Sequence, residues 1–182
     1  LLAVIDGILS ATERQVRQFI SDWPDGVFRG VSYVDDDGFD SEMIPIRAEV
    51  TIEGDAMKID LSESSDQVTG FINSAYANTR SVAHAAIMYL APYDVAKNEG
   101  SMGPLSVVAP RGLIVNANPP APVCMSTNHC AEEIIEAVFK ALANAVPQAV
   151  NAGFSRRLRY AITGTDPRTG RYFIWHFFMA RG

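Results

Sequence analysis

Apolar and polar positions follow two different periods along this chain. Over residues 2–20, Leu2, Ile5, Leu9, Val16 and Phe19 recur at three- and four-residue spacing, with Glu13, Arg14 and Arg17 between them. That spacing predicts an amphipathic helix with one solvated face. Trp23-Pro24-Asp25-Gly26 supplies turn chemistry to stop it. Val27, Arg29, Val31 and Tyr33 then suggest a strand, and Asp35-Asp36-Asp37-Gly38 reads as a solvated turn. From 44 to 53 the period becomes two. Ile44, Ile46, Ala48, Val50 and Ile52 face one way, and Arg47, Glu49, Thr51 and Glu53 the other. One polar face means a half-exposed antiparallel strand. Gly54-Asp55 turns the chain, and Met57, Ile59 and Leu61 resume the alternation as the second arm of a hairpin.

A polar loop spans 62–73. An Ala-rich helix is expected from Asn78, as its cap, to Ala91, with Pro92 ending it. Leu105–Val108 and Leu113–Val115 read as short strands around Pro110-Arg111-Gly112, and 116–122 as an ordered loop with three prolines. The clearest helix runs from about Asn128 to Ala145. Ala131, Ile134, Ile135, Val138, Phe139, Leu142 and Val146 form its stripe, Asn128 is the expected cap, and Glu132 and Glu133 lie in its first turn. Leu158, Tyr160 and Ile162 lead through Asp166-Pro167-Arg168-Thr169-Gly170 into the run Phe173–Met179, a last hairpin. That apolar run reads as a strand buried on both faces. With so little chain beyond it, residues 1–182 are expected to be one segment cut at both ends from a longer protein. Strand pairs with isolated helices, lacking a regular strand–helix–strand beat, predict an α+β fold: antiparallel hairpins packed with two or three helices.

Composition narrows the function classes. The 182 residues are 48% hydrophobic and 20% charged, ordinary for a globular chain. Fifteen Lys and Arg against 21 Asp and Glu give a net charge of −6. With no basic stripe, nucleic acid is not an expected partner. No apolar run is long enough for a membrane helix, so no membrane is expected either. Cys124 and Cys130 sit six apart and form neither a C-x-x-C pair nor a disulfide scaffold. Idle thiols in a reducing cytoplasm are the expectation.

Chemistry-bearing motifs are sparse. His84, His129 and His176 show no zinc-type spacing, and His84 and His176 read as structural histidines. No glycine-rich phosphate loop and no G-x-S-x-G elbow occurs. No metal ligand and no cofactor-binding residue is assigned within the segment.

The loops carry a family resemblance. Residues 58–75, with Asp60 closing a strand, then Glu63-Ser64-Ser65, Gln67-Val68 and Gly70-Phe71-Ile72-Asn73, resemble a stretch of the hydantoinase B/oxoprolinase family. There a Gly-Thr-Ser-like turn leads to Gln-Val and Gly-Pro-Ile-Asn. Asn98-Glu99-Gly100, Pro110–Asn116, Pro119-Pro120-Ala121 and Gly164–Arg171 resemble further family motifs in the same order. Two departures stand out: Glu63-Ser64-Ser65 replaces Gly-Thr-Ser, and Phe71 replaces Pro.

The resemblance implies a large subunit of an ATP-dependent cyclic-amide hydrolase that opens hydantoin or 5-oxoproline rings. Subunits of acetone- and acetophenone-type ketone carboxylases are the related alternative. It also implies a hydantoinase A-type ATP-binding partner subunit, a small-molecule substrate, an oligomeric complex, and a divalent metal whose motifs lie upstream of the matched region. The isolated segment would then be inactive. A non-catalytic assembly module is the reading from a second class. If the segment touches substrate or partner, the non-periodic loops are where it does so. Asp60, Ser65, Asn73 and Arg80 frame one, and Asn98 and Glu99 a second. Each also has a structural reading, as a turn brace or a surface ion pair.

Overall fold

The computed structural model describes residues 1–153 and 158–179. They divide into two compact units, Leu1–Val150 and Asn151–Gly182.

In the first unit, helix α1 (Leu2–Ser21) precedes strands β1 (Gly26–Asp36), β2 (Glu42–Glu53) and β3 (Ala56–Asp60). Helix α2 (Tyr76–Leu90), a 3-10 turn (Glu99–Met102), strand β4 (Leu105–Val108) and helix α3 (Ala131–Leu142) follow. The sheet order is β1-β2-β3-β4. The first three strands are antiparallel, with Val50 opposite Phe28 on one side and Ile59 on the other. The expected α+β class holds, with one departure. β4 lies parallel to β3, Met57 opposite Leu105, and the chain between them passes through α2. A parallel neighbour needs such a crossover.

The two-residue period of β2 is realised as read. Ile44, Ile46, Ala48, Val50 and Ile52 are buried, and Met57 and Ile59 of β3 join them. α3 covers this face over β1 and β2 and also packs on α2. Ala83 and Ala86 of α2 and Ala137 and Ala141 of α3 are all fully buried, and α3 lies so close over β1 that a Cβ on Gly30 would run into the Ala137 carbonyl and the Ala141 N–H. Each buried Ile or Leu contributes about 1.5–3 kcal/mol relative to exposure.

Helix α1 buries only its second half. Thr12, Val16, Phe19 and Ile20 are buried, whereas Leu2 and Ile5 are exposed. Phe19 meets Trp23 edge-on at 5.4 Å just past the helix end.

Several expectations are corrected. Helix α2 starts at Tyr76, not Asn78, and Asn78 is no cap. Its Nδ2 donates to Ser74 Oγ and to the Ser126 carbonyl, both at 2.9 Å. Asn128 does not cap α3. A turn closed by His129 N–H on the Met125 carbonyl ends at Cys130, whose φ of 63° interrupts the helical path, so α3 begins at Ala131. Residues 113–115 are not a strand. Leu113 makes only isolated bridges, to Asp66 and Asn116, and no ladder extends through Ile114 and Val115.

The second unit is the expected hairpin, β5 (Leu158–Thr165) paired antiparallel with β6 (Tyr172–Met179). Its turn closes through Gly170 N–H on the Asp166 carbonyl at 2.8 Å. The burial expected on both faces of β6 is not found: β6 pairs with β5, and Ile174 and Trp175 are more than half exposed.

Candidate functional site

The family-like loops form a stitched layer rather than a mobile surface. Ser65 donates its N–H to the Pro45 carbonyl at 3.0 Å and accepts the Ile114 N–H at 2.9 Å. Ser74 donates to the Ile114 carbonyl at 2.7 Å and accepts from Ala117 at 2.9 Å. Gln67 N–H reaches the Gly112 carbonyl at 2.8 Å. Asn73 sits at the centre, fully buried. Its Oδ1 accepts the Val68 N–H at 2.8 Å, and its Nδ2 donates to the carbonyls of Val68, Gly70 and Pro122 at 2.9–3.1 Å. Both ends of the amide are thus used, which is what burial of such a group requires. Ser65 and Asn73 brace these loops.

Asp60 ends β3 in a different place. It lines a groove of about 670 Å³ on the outer face of the sheet, with Arg29, Arg47, Glu49, Glu63 and Lys140. Cross-strand register places Glu49 directly opposite Asp60, and each carboxylate has its own cation. Arg29 holds Glu49 at 2.5 Å, and Lys58 holds Asp60 at 3.3 Å. Burial opposes ionisation of Asp60. The Ser62 hydroxyl and N–H, with Lys58, outweigh it and hold the carboxyl below the usual range. Arg47 donates to the Glu63 carbonyl at 3.2 Å. Glu63 belongs to the turn that departs from the family pattern, so the departure lies on this groove.

Arg80, Asn98 and Glu99 come together, although eighteen positions separate the first two. Asn98 has two structural tasks. Its Oδ1 accepts the Gly100 N–H at 2.9 Å, capping the 3-10 turn, and its Nδ2 donates to Thr12 Oγ1 at 2.9 Å on α1. Gly100 permits that docking, since a Cβ there would lie 2.1 Å from the Leu9 carbonyl oxygen. Glu99 points outward and faces Arg80 across 3.6 Å. The second groove, about 480 Å³, lies between α2 and the 3-10 turn and is lined by His84, Ala85, Met88, Lys97, Glu99 and Met102, among others. His84 Nε2 approaches Ser101 Oγ at 3.5 Å. The six sequence candidates therefore fall into three places: Ser65 and Asn73 in the loop layer, Asp60 on the sheet groove, and Asn98 and Glu99 at the α2 groove, with Arg80 paired to Glu99.

Sequence reading missed the burial of Asp37 and the groove position of His84. Asp37, taken as part of a solvated turn, is buried. Its Oδ1 accepts from Phe39, Asp40 and Ser41, and its Oδ2 from Gly70 at 3.0 Å. Three consecutive aspartates gave no sign of which one turns inward. His84 read as a structural histidine but lines a groove; its position opposite the 3-10 turn depends on the α1 docking of Asn98. Cys130 is the idle thiol expected from the sequence, fully buried with its Sγ 3.6 Å from the Ile114 carbonyl. Burial, reinforced by the negative charge of Glu133, pushes its thiol far up, so it is no thiolate nucleophile.

No group of three His, Cys, Asp or Glu side chains able to hold a metal ion occurs among the described residues. The divalent metal implied by the resemblance finds no such donor set among the described residues. No helix among the described residues is long and apolar enough to cross a membrane.

An α+β segment whose motif residues form a braced loop layer is a recurrent domain part, and comparison with known proteins identifies it. The chain belongs to the hydantoinase B/oxoprolinase family, whose model matches residues 1–182. It is 34% identical over 167 residues to the caprolactamase subunit beta of Pseudomonas jessenii, covering 91% of this chain and 29% of that protein. The crystal structure of the ATP-dependent caprolactamase from Pseudomonas jessenii superposes with a TM-score of 0.80 at 31% identity, over 94% of this chain and 30% of the other. A nucleotide-free acetone carboxylase structure gives a TM-score of 0.74 at 15% identity, over 93% of this chain and 26% of the other, a likeness of fold. The chain thus spans under a third of the length of these relatives.

Proposed function

We propose that the full-length protein is a large subunit of an ATP-dependent cyclic-amide hydrolase, opening a lactam, hydantoin or 5-oxoproline-type ring. The observation that carries this is the 34% identity to the caprolactamase beta subunit over 91% of the chain, matched by the 0.80 TM-score to an ATP-dependent caprolactamase. ATP bound to a hydantoinase A-type partner subunit phosphorylates the amide oxygen, ADP departing, so that water adds at the activated carbon, the ring C–N bond breaks and phosphate is released. This segment contributes scaffold and grooves to an oligomeric complex in the cytoplasm, where the free thiols Cys124 and Cys130 stay reduced. The divalent metal belongs to residues outside this segment, and the isolated 182 residues show no turnover.

The ketone carboxylase reading has a narrower basis, the shared fold with acetone carboxylase. One experiment separates the two. The full-length subunit is purified with its ATP-binding partner, supplied with divalent metal, and assayed for ATP-dependent opening of lactams and hydantoins. In parallel it is assayed for bicarbonate-dependent consumption of acetone. Ring opening without ketone consumption is the expected result. Ketone consumption alone establishes the carboxylase, and absence of both removes both.

A further inference from the structure

The β1–β2 connection carries an apolar tip that the described fold leaves uncovered. Phe39, Met43 and Phe71 are 71%, 59% and 49% exposed. Single exposed apolar side chains need no account, but these three are mounted together. Phe39 and Phe71 sit on loops far apart in sequence, and one buried carboxyl joins those loops. Asp37 Oδ1 accepts the Phe39 N–H and Oδ2 accepts the Gly70 N–H, both at 3.0 Å. The Asp37 N–H closes the loop on the Ser41 carbonyl, also at 3.0 Å. Met43 lies just beyond, between the pairs Asp36–Glu42 and Val34–Ile44. Its φ of 50° holds a bulky side chain in the left-handed region, a conformation that costs free energy and that functional sites tolerate. Phe71 stands where the family pattern has proline, so the tip is more apolar in this chain than that pattern requires. A tip held this firmly gives up little conformational entropy on binding.

Four carboxylates flank these side chains. Asp35, Asp36, Asp40 and Glu42 are all exposed, and none has a Lys or Arg partner among the described residues. The sheet groove differs, since Glu49 and Asp60 there each hold a cation. An apolar centre with a charged border is the anatomy of a protein interface. The sign of the border selects the occupant. It repels phosphate-bearing polymers and anionic lipid surfaces. A second copy presenting the same tip would set four negative charges against four. The complementary surface is a protein segment that carries Lys or Arg beside apolar side chains. We infer that this tip docks a basic, apolar segment of the ATP-binding partner subunit, with Phe39, Met43 and Phe71 as anchors and the four carboxylates as a steering border. The inference rests on the ring-opening reading above, which supplies the partner, and names the face through which this chain meets it.

The test uses the full-length subunit and its ATP-binding partner, purified separately and mixed in a stopped-flow fluorimeter at low and at physiological salt. Asp35→Lys with Glu42→Lys is expected to slow association about tenfold at low salt and to flatten its salt dependence. Asp22→Lys with Asp94→Lys makes the same change of net charge at exposed positions elsewhere and should leave the rate nearly unchanged. Phe39→Ala with Phe71→Ala should raise Kd about tenfold or more, mainly through faster dissociation. Amide exchange on the unsubstituted chains decides even where a variant folds poorly: residues 35–43 should be slowed by the partner and not before it is added. Protection of 35–43 already present in the isolated subunit would give the tip to the rest of this chain and overturn the inference. Unchanged binding in both tip variants, or self-association of the subunit that the phenylalanine variant abolishes, would do the same. Ring opening by the complex with exchange at 35–43 untouched sinks the docking face and leaves the enzyme. Docking through the tip in a complex that opens no ring leaves the face and sinks the enzyme. Two subunits that never associate remove both.

Discussion

Asp37 and Gly70, thirty-three positions apart, are locked face to face. The Gly70 N–H donates to Asp37 Oδ2 at 3.0 Å, and a Cβ on Gly70 would lie 2.1 Å from the Asp37 carbonyl oxygen. The β1–β2 connection is thereby fastened to the family-like loop. The obstacle is backbone, not the end of a flexible side chain, so no rotamer change relieves it. Gly70→Ala in the full-length protein is expected to cost about 1–3 kcal/mol or more by overpacking. A lower Tm, read by calorimetry, is the expected result. An unchanged Tm would show that the two loops are not in contact.

Acid should loosen the same junction. Burial works against the Asp37 carboxylate, yet N–H donors from Ser41, Gly70, Phe39 and Asp40 hold it below its ordinary 3.8. A depressed carboxyl contributes stability above its unfolded pKa and loses it as pH falls through the folded one. Stability measured by denaturant titration should therefore drop below about pH 4, and Asp37→Asn should flatten that limb while lowering the neutral-pH plateau. An identical acid limb in the variant would contradict the assignment.

Asn73→Asp is expected to be worse than Asn73→Ala. Alanine removes the amide and leaves buried partners unsatisfied, about 1–3 kcal/mol. Aspartate instead turns an oxygen toward the carbonyls of Val68, Gly70 and Pro122, adding a buried charge to the loss. Urea midpoints of the two variants give the order directly, and a reversed order would refute it.

Asn98→Ala should free the 3-10 turn from α1. Two hydrogen bonds are lost, to Gly100 and to Thr12, about 1–2 kcal/mol together with the cap. Faster amide exchange at Gly100 and Ser101, with little change in β2, is the expected pattern. Uniform exchange across the chain would mean the turn is not a local unit.

The two thiols should react very differently. Cys124 is exposed, while Cys130 is fully buried with its thiol pushed up. Iodoacetamide followed by peptide mapping should label Cys124 in the native protein and Cys130 only after denaturation. Native labelling of Cys130 would count against its placement.

The regular elements were legible because their periods are local. The stripe of α3 and the alternation of Ile44 to Ile52 needed only neighbouring residues, and both were recovered. The parallel seating of Leu105 beside Met57 was not, because a strand's period does not name its partner. The capping roles given to Asn78 and Asn128 failed because preceding turns, anchored through Ser74 and Met125, decide where the helices start. Among the candidates, Arg80 and Glu99 were named separately, and only the docking of Asn98 on Thr12 brings them together. His84 could not be distinguished from a core histidine, since its groove is made by a turn seventeen residues away.

The interlacing of Ser65, Ile114, Ser74 and Ala117 sets what kind of sequence change these loops tolerate. Exposed side chains such as Pro110 and Arg111 can vary, but length cannot. One inserted residue would move Ile114 off both of its partners and slide Val115 away from Thr79, spreading a local change into a second loop and a helix. Divergence in this part of the molecule therefore has to proceed by substitution at fixed spacing.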